Sequence, residues 1–76
     1  MNKNRRKQLF DLREQLSSIK DDVEMLKDEE QECYDNLPES LQISSKGDEI
    51  EEWIEQLEDL YSSLEDACGE FDNLDL

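Results

Sequence analysis

The sequence predicts an all-α fold, an antiparallel two-helix hairpin of coiled-coil type. Three observations predict it. Apolar residues recur at alternating spacings of three and four, the signature of a heptad seam. Between Lys3 and Asp35 there is neither Gly nor Pro. Strand signals are missing, because no run alternates β-branched and polar residues.

The first helix is expected over about residues 3–35, with its seam on Leu9, Leu12, Leu16, Ile19, Val23 and Leu26. After a polar step at Glu30 the seam continues at Cys33 and Leu37. Thirty residues of helix measure ~45 Å. A loop is expected over about 36–47. Pro38 disfavours helix at Leu37, and Ser44, Ser45 and Gly47 are loop residues. Leu37, Leu41 and Ile43 are expected to fold over the end of the seam. A second helix is expected over about 48–74, capped by Asp48 or a nearby serine, with Asp48, Glu49, Glu51 and Glu52 suiting its positive end. Its seam reads Ile50, Trp53, Leu57, Leu60, Leu64, Ala67, Phe71 and Leu74. Residues 1–76 thus make one domain.

Ile54, Tyr61 and Cys68 form a stripe beside that second seam. A lone hairpin buries each helix on one side only, so this stripe is surplus to it. It is expected to carry self-association into a four-helix bundle, or to receive a partner; the alternative is that Trp53, Ile54 and Tyr61 only widen the contact with the first helix and the loop.

Charge is segregated. Of 76 residues, 41% are charged and 34% hydrophobic, and the net charge is −15. Residues 1–20 hold six basic and two acidic side chains. Residues 21–47 hold nine acidic and two basic, and residues 48–76 hold twelve acidic and none basic. Antiparallel pairing sets Arg5, Arg6 and Lys7 beside Glu70, Asp72 and Asp75. The loop end has no such relief, so its carboxylates repel one another. Solubility would account for that excess. A surface made for a basic partner would also account for it, since duplex DNA carries one charge per ~1.7 Å and its binders carry matching Lys/Arg clefts. The candidate partner-binding residues are Asp28, Glu29, Glu32, Asp35, Glu49, Glu52, Glu55 and Asp59. Direct nucleic-acid binding is not expected, because phosphates would be repelled.

Much chemistry is excluded. With no His, imidazole metal sites and Ser-His or Cys-His machinery cannot exist. There is no calcium loop and no glycine-rich phosphate cradle. No cofactor, no metal and no enzymatic activity are expected. No apolar run approaches the ~20 residues of a membrane span, and none follows the basic start as a signal peptide requires. Cys33 and Cys68 fit no CxxC pattern and read as reduced thiols of a cytoplasmic chain; a hairpin could still pair them.

Residues 28–42, DEEQECYDNLPESLQ, followed by Lys46, Gly47 and Asp48, resemble short acidic helical-hairpin proteins of phages and prophages with a YDNLPESLQ-type turn. Cys33 departs from that pattern, where alanine is usual beside the tyrosine. The resemblance implies a cytoplasmic protein of an infected host cell. By class analogy it implies an anti-defence inhibitor, anti-CRISPR or anti-restriction, acting as a DNA mimic on a basic nucleic-acid-binding effector. The competing expectation is a structural or assembly coiled coil whose acids serve only solubility.

Overall fold

The computed structural model describes residues 1–74. They form α1 (Lys3–Asp35), a single turn α2 (Glu39–Gln42) and α3 (Ser45–Asp72). α1 and α3 pack along each other, and α2 packs on α3. Their cross-contacts run antiparallel: Arg13 meets Asp72, while Lys20 and Lys27 meet Tyr61. The result is a rod with Cα extents of 59 × 14 × 12 Å. Its radius of gyration is 17.5 Å, against about 11 Å for a compact chain of this length.

Local chemistry sets the helix ends. Asn2 caps α1, its side-chain oxygen accepting from the Arg5 N–H at 2.8 Å. Pro38 precedes α2 in an extended conformation and Ser44 caps α3 through the Lys46 N–H. The Ser44 hydroxyl also donates to the Leu41 carbonyl. The expected loop over 36–47 is therefore shorter, and it contains a helical turn. α3 starts three residues before the expected position and ends at Asp72 rather than 74. Gly47 lies in the first turn of α3 and is buried there, not in the loop. Helix is possible this early because Ser44 satisfies an orphan N–H and glycine lets the backbone of Gln42 approach. A Cβ on Gly47 would come within 2.8 Å of the Gln42 Cα. Gln42 in turn donates from its side chain to the Tyr34 carbonyl at 3.0 Å, tying the turn to the end of α1.

The expected cover over the seam forms only in part. Leu37 is half-buried, but Leu41 is exposed and Ile43 is 82% exposed. Of the three, only Leu41 lies within α2, and Ile43 is its C-cap.

The larger correction concerns which stripe each helix buries. On α3 the inward positions are Ile50, Ile54, Leu57, Tyr61, Leu64, Cys68 and Phe71. Ile54 is a core residue at 9% exposure, and Tyr61 and Cys68 are half-buried. Those three are not surplus. Trp53, Leu60 and Leu74, expected in the seam, are about half exposed. On α1 the inward positions are Leu9, Arg13, Leu16, Lys20, Val23, Lys27, Glu30 and Tyr34. Leu12, Ile19, Leu26 and Cys33 lie outside. Both helices keep the shared heptad position and have rotated by one flank, exchanging the position three residues on for the position four residues on.

Glycine substitution tests the turn. Helix propensity alone favours Ala over Gly by about 0.5–1 kcal/mol. Gly69 has open space around its Cβ position, so Gly69→Ala should raise the thermal midpoint. Gly47→Ala should lower it, costing about 1–3 kcal/mol of stability through overpacking on Gln42. Melting curves in which both substitutions stabilise would refute the Gly47–Gln42 contact.

Candidate protein-interaction surfaces

Heptad rotation divides the rod into sides. On one side, Tyr61 lies between the ammonium groups of Lys20 and Lys27, at 5.8 and 5.7 Å from the ring centroid. The aliphatic stems lie along the seam while the charges reach outward. Two such contacts contribute about 0.5–1 kcal/mol each at exposed sites. Farther along, Arg13 donates to Asp72 from Nε at 2.6 Å and also contacts Glu14. This hydrogen bond, then the charge of Asp72, raises the Arg13 pKa. Among the described residues Arg13 makes the ion pairs, not Arg5, Arg6 or Lys7. Asp75, expected to join them, lies outside the described residues.

At the loop end of the same side, a hydrogen bond to Glu51 is the main cause that pushes the Tyr34 hydroxyl above its ordinary pKa; burial and Asp48 add to it. Burial pushes Tyr61 up, with Glu24 adding and Lys20 opposing.

The opposite side is apolar. Leu12, Ile19 and Leu26 of α1 and Trp53, Leu60, Ala67 and Leu74 of α3 each stand three residues after a central seam position. In an antiparallel pair equal offsets fall on one side. Leu26, Trp53 and Leu57 line a groove of about 220 Å³ there, with Glu29 and Glu30 at its edge. Leu9, Ala67, Phe71 and Leu74, with Glu70 among them, line another, of about 320 Å³, toward the termini. The sequence contained this stripe, but apolar content alone assigned it to the hairpin seam.

All eight candidate carboxylates are exposed. They do not gather into one patch. Asp28, Glu32 and Asp35 face away from α3, and Glu52, Glu55 and Asp59 face away from α1, along the two outer edges of the rod. Glu29 and Glu49 lie closer to the apolar side, Glu29 at the groove beside Leu26. Among the described residues no group of three or more Cys, Asp or Glu side chains is placed to hold a metal ion. Among the described residues no helix is long and apolar enough to cross a membrane. Cys33 is exposed near the loop, and Cys68 half-buried sixteen positions away along the seam. That is ~24 Å of helix, too far for a disulfide within one chain.

Comparison with known proteins finds no matching family model, no matching curated protein and no matching solved structure.

The two tyrosines give a pH test. Each has its folded pKa raised, so the neutral phenol is favoured in the fold. That contribution is fully present below the ordinary value of about 10. It is lost as pH rises through the folded value. Ultraviolet titration should place both midpoints above those of the urea-unfolded chain. Glu51→Gln should lower the Tyr34 midpoint and leave Tyr61 where it was. Coincident folded and unfolded titrations would rule out both contacts.

Proposed function

We propose that the chain is a non-catalytic binding protein that occupies a basic, nucleic-acid-binding surface of another protein. One observation supports this most. Residues 21–62 form the loop half of the rod and hold sixteen acidic and two basic side chains. Spread over half of a 59 Å rod, this is about one net negative charge per 2 Å, close to the ~1.7 Å of duplex DNA. The other half, nearly neutral, has no such density.

The outer edges suit a cleft better than a flat face. A basic groove that embraces the rod can meet Asp28, Glu32 and Asp35 with one wall and Glu52, Glu55 and Asp59 with the other. Arg and Lys placed for phosphates would form charge-assisted hydrogen bonds to these carboxylates. The resemblance of the turn to phage proteins points to a host defence effector as the partner. A second reading, an assembly protein whose acids only solubilise, is favoured by the exposed apolar stripe.

Competition separates the two. A partner captured at low salt should be released both by raised salt and by duplex DNA. Glu52→Lys with Glu55→Lys should weaken capture about tenfold or more, with helicity unchanged and association slowed. If reversing Asp28 and Asp35 as well leaves capture untouched, the mimicry reading is wrong.

A further inference from the structure

The core closed by α1 and α3 is small. Among the described residues only Val23, Ile50 and Ile54 are buried apolar residues, and no large side chain is fully buried. A chain of this size with so little burial lacks the apolar gain that offsets its ordering entropy. Meanwhile six large residues of one side, Leu12, Ile19, Leu26, Trp53, Leu60 and Leu74, stay 47–52% exposed. Single exposed apolar residues need no explanation, but a contiguous stripe marks an interface.

We propose that this side docks a second copy of the chain, head to tail, making an antiparallel four-helix bundle about a two-fold axis between Ile19 and Leu26. The inference is independent of the proposed function. Three observations select a second copy and its orientation.

The first is area. Half of six large side chains, together with the stems flanking them, supplies several hundred Å² per copy, and a stable interface takes about 800 Å² per partner. From Leu74 to Trp53 the stripe runs ~32 Å, most of the length of α3.

The second is charge. A parallel dimer would stack two loop halves, each with sixteen acidic and two basic side chains. Head to tail, each acidic half lies against a half with six basic and seven acidic side chains. The exposed cations Lys3, Arg5, Arg6 and Lys7 then come alongside the other copy's loop-end carboxylates. These cations have no ion-pair partner in their own chain among the described residues.

The third is shape. Trp53, the one tryptophan, stands on this side near the loop. The 320 Å³ groove of Leu9, Ala67, Phe71 and Leu74 opens on the same side near the termini. Ala67 is the one small residue of the α3 stripe. Head-to-tail pairing brings the indole of each copy to the groove of the other, and two-fold symmetry fills both.

Sedimentation equilibrium of the whole chain should give twice the 9.0 kDa chain mass. On dilution, Trp53 emission should shift to the red in step with the loss of that mass. Ile19→Asp and Leu60→Asp should each raise the dissociation constant about a hundredfold or more, because each enters a symmetric interface twice. Glu32→Lys on the outer edge should not. Since the stripe variants could lose their fold, orientation is read on an intact dimer. Spin labels on Cys33 in a Cys68→Ser background should lie about 30 Å apart head to tail, and close together in a parallel pair. A helical monomer at high micromolar concentration overturns the proposal, as does a short label distance or a larger assembly. So does a dimer indifferent to Ile19→Asp and Leu60→Asp, or a monomer that buries Trp53 only on a foreign protein.

Discussion

The rotation of the two helices about their own axes is fixed where Tyr61 enters between Lys20 and Lys27. Everything else about the surface depends on that choice. Each helix offers one central heptad position and two flanks, and a pair can bury only one flank of each. With Tyr61 inward, the lysine and Arg13 stems line one wall of the seam and the leucine–isoleucine stripe is turned out. The alternative rotation would bury Leu12, Ile19 and Leu26 against Trp53, Leu60 and Ala67. By apolar area alone, burying those half-exposed side chains is worth several kcal/mol at ~25 cal/mol per Å². The observed rotation instead buries Ile54, half-buries Tyr61 and Cys68, lays the Arg13, Lys20 and Lys27 stems along the seam, and adds two cation–π contacts of about 0.5–1 kcal/mol each.

The turn holds the same register from the other end. Gly47 admits the Gln42 backbone, and Gln42 binds the carbonyl of Tyr34. This locks the start of α3 against the end of α1. The helix dipoles give α1 no help. Its first turn is basic and its last turn acidic, the reverse of the favourable order, at a cost of about 0.3–1 kcal/mol at each end. Antiparallel packing recovers part of this, because the basic start of α1 lies beside the acidic C-terminal end of α3, where Arg13 reaches Asp72. The charge order of α1 therefore makes sense only in the company of α3, or of another acidic surface.

Much of the fold was legible in the sequence, and the reasons are physical. A gap-free run without Gly or Pro gives α1 its bounds of Lys3–Asp35. The 3-4 spacing gives the central positions Leu16, Val23, Ile50, Leu57 and Leu64, which all point inward. What failed was the choice of flank. Counting apolar residues prefers Trp53 and Leu60 to Ile54 and Tyr61, and Leu12 and Ile19 to Arg13 and Lys20. The missing signal lay between the helices. Antiparallel alignment sets the cations at 13, 20 and 27 opposite Glu58, Glu65 and Asp72, with an aromatic ring at 61 between two of them. Periodicity within one helix cannot express that pairing. Gly47 was misread for a related reason: glycine signals a loop, but it also signals close backbone approach inside a helix. The exposure of the eight candidate carboxylates was legible from their distance to the seam. Their division between two edges was not, since it follows from the antiparallel pairing.

The acidic edges and the apolar side occupy different directions around the rod. The six outermost carboxylates point along the line joining the helix axes, and the apolar stripe points across it. Covering one leaves the other free. A second copy on the apolar side would extend the acidic edges into a wider body without masking Asp28, Asp35, Glu52 or Asp59. It would also place cationic ends beside acidic ones, lowering the charge density from which the resemblance to duplex DNA derives. A partner that reads charge density and a copy that neutralises it therefore compete electrostatically though not sterically. Ionic strength shifts the balance between them, because screening at a Debye length of ~8–10 Å weakens a charged cleft more than a packed apolar seam.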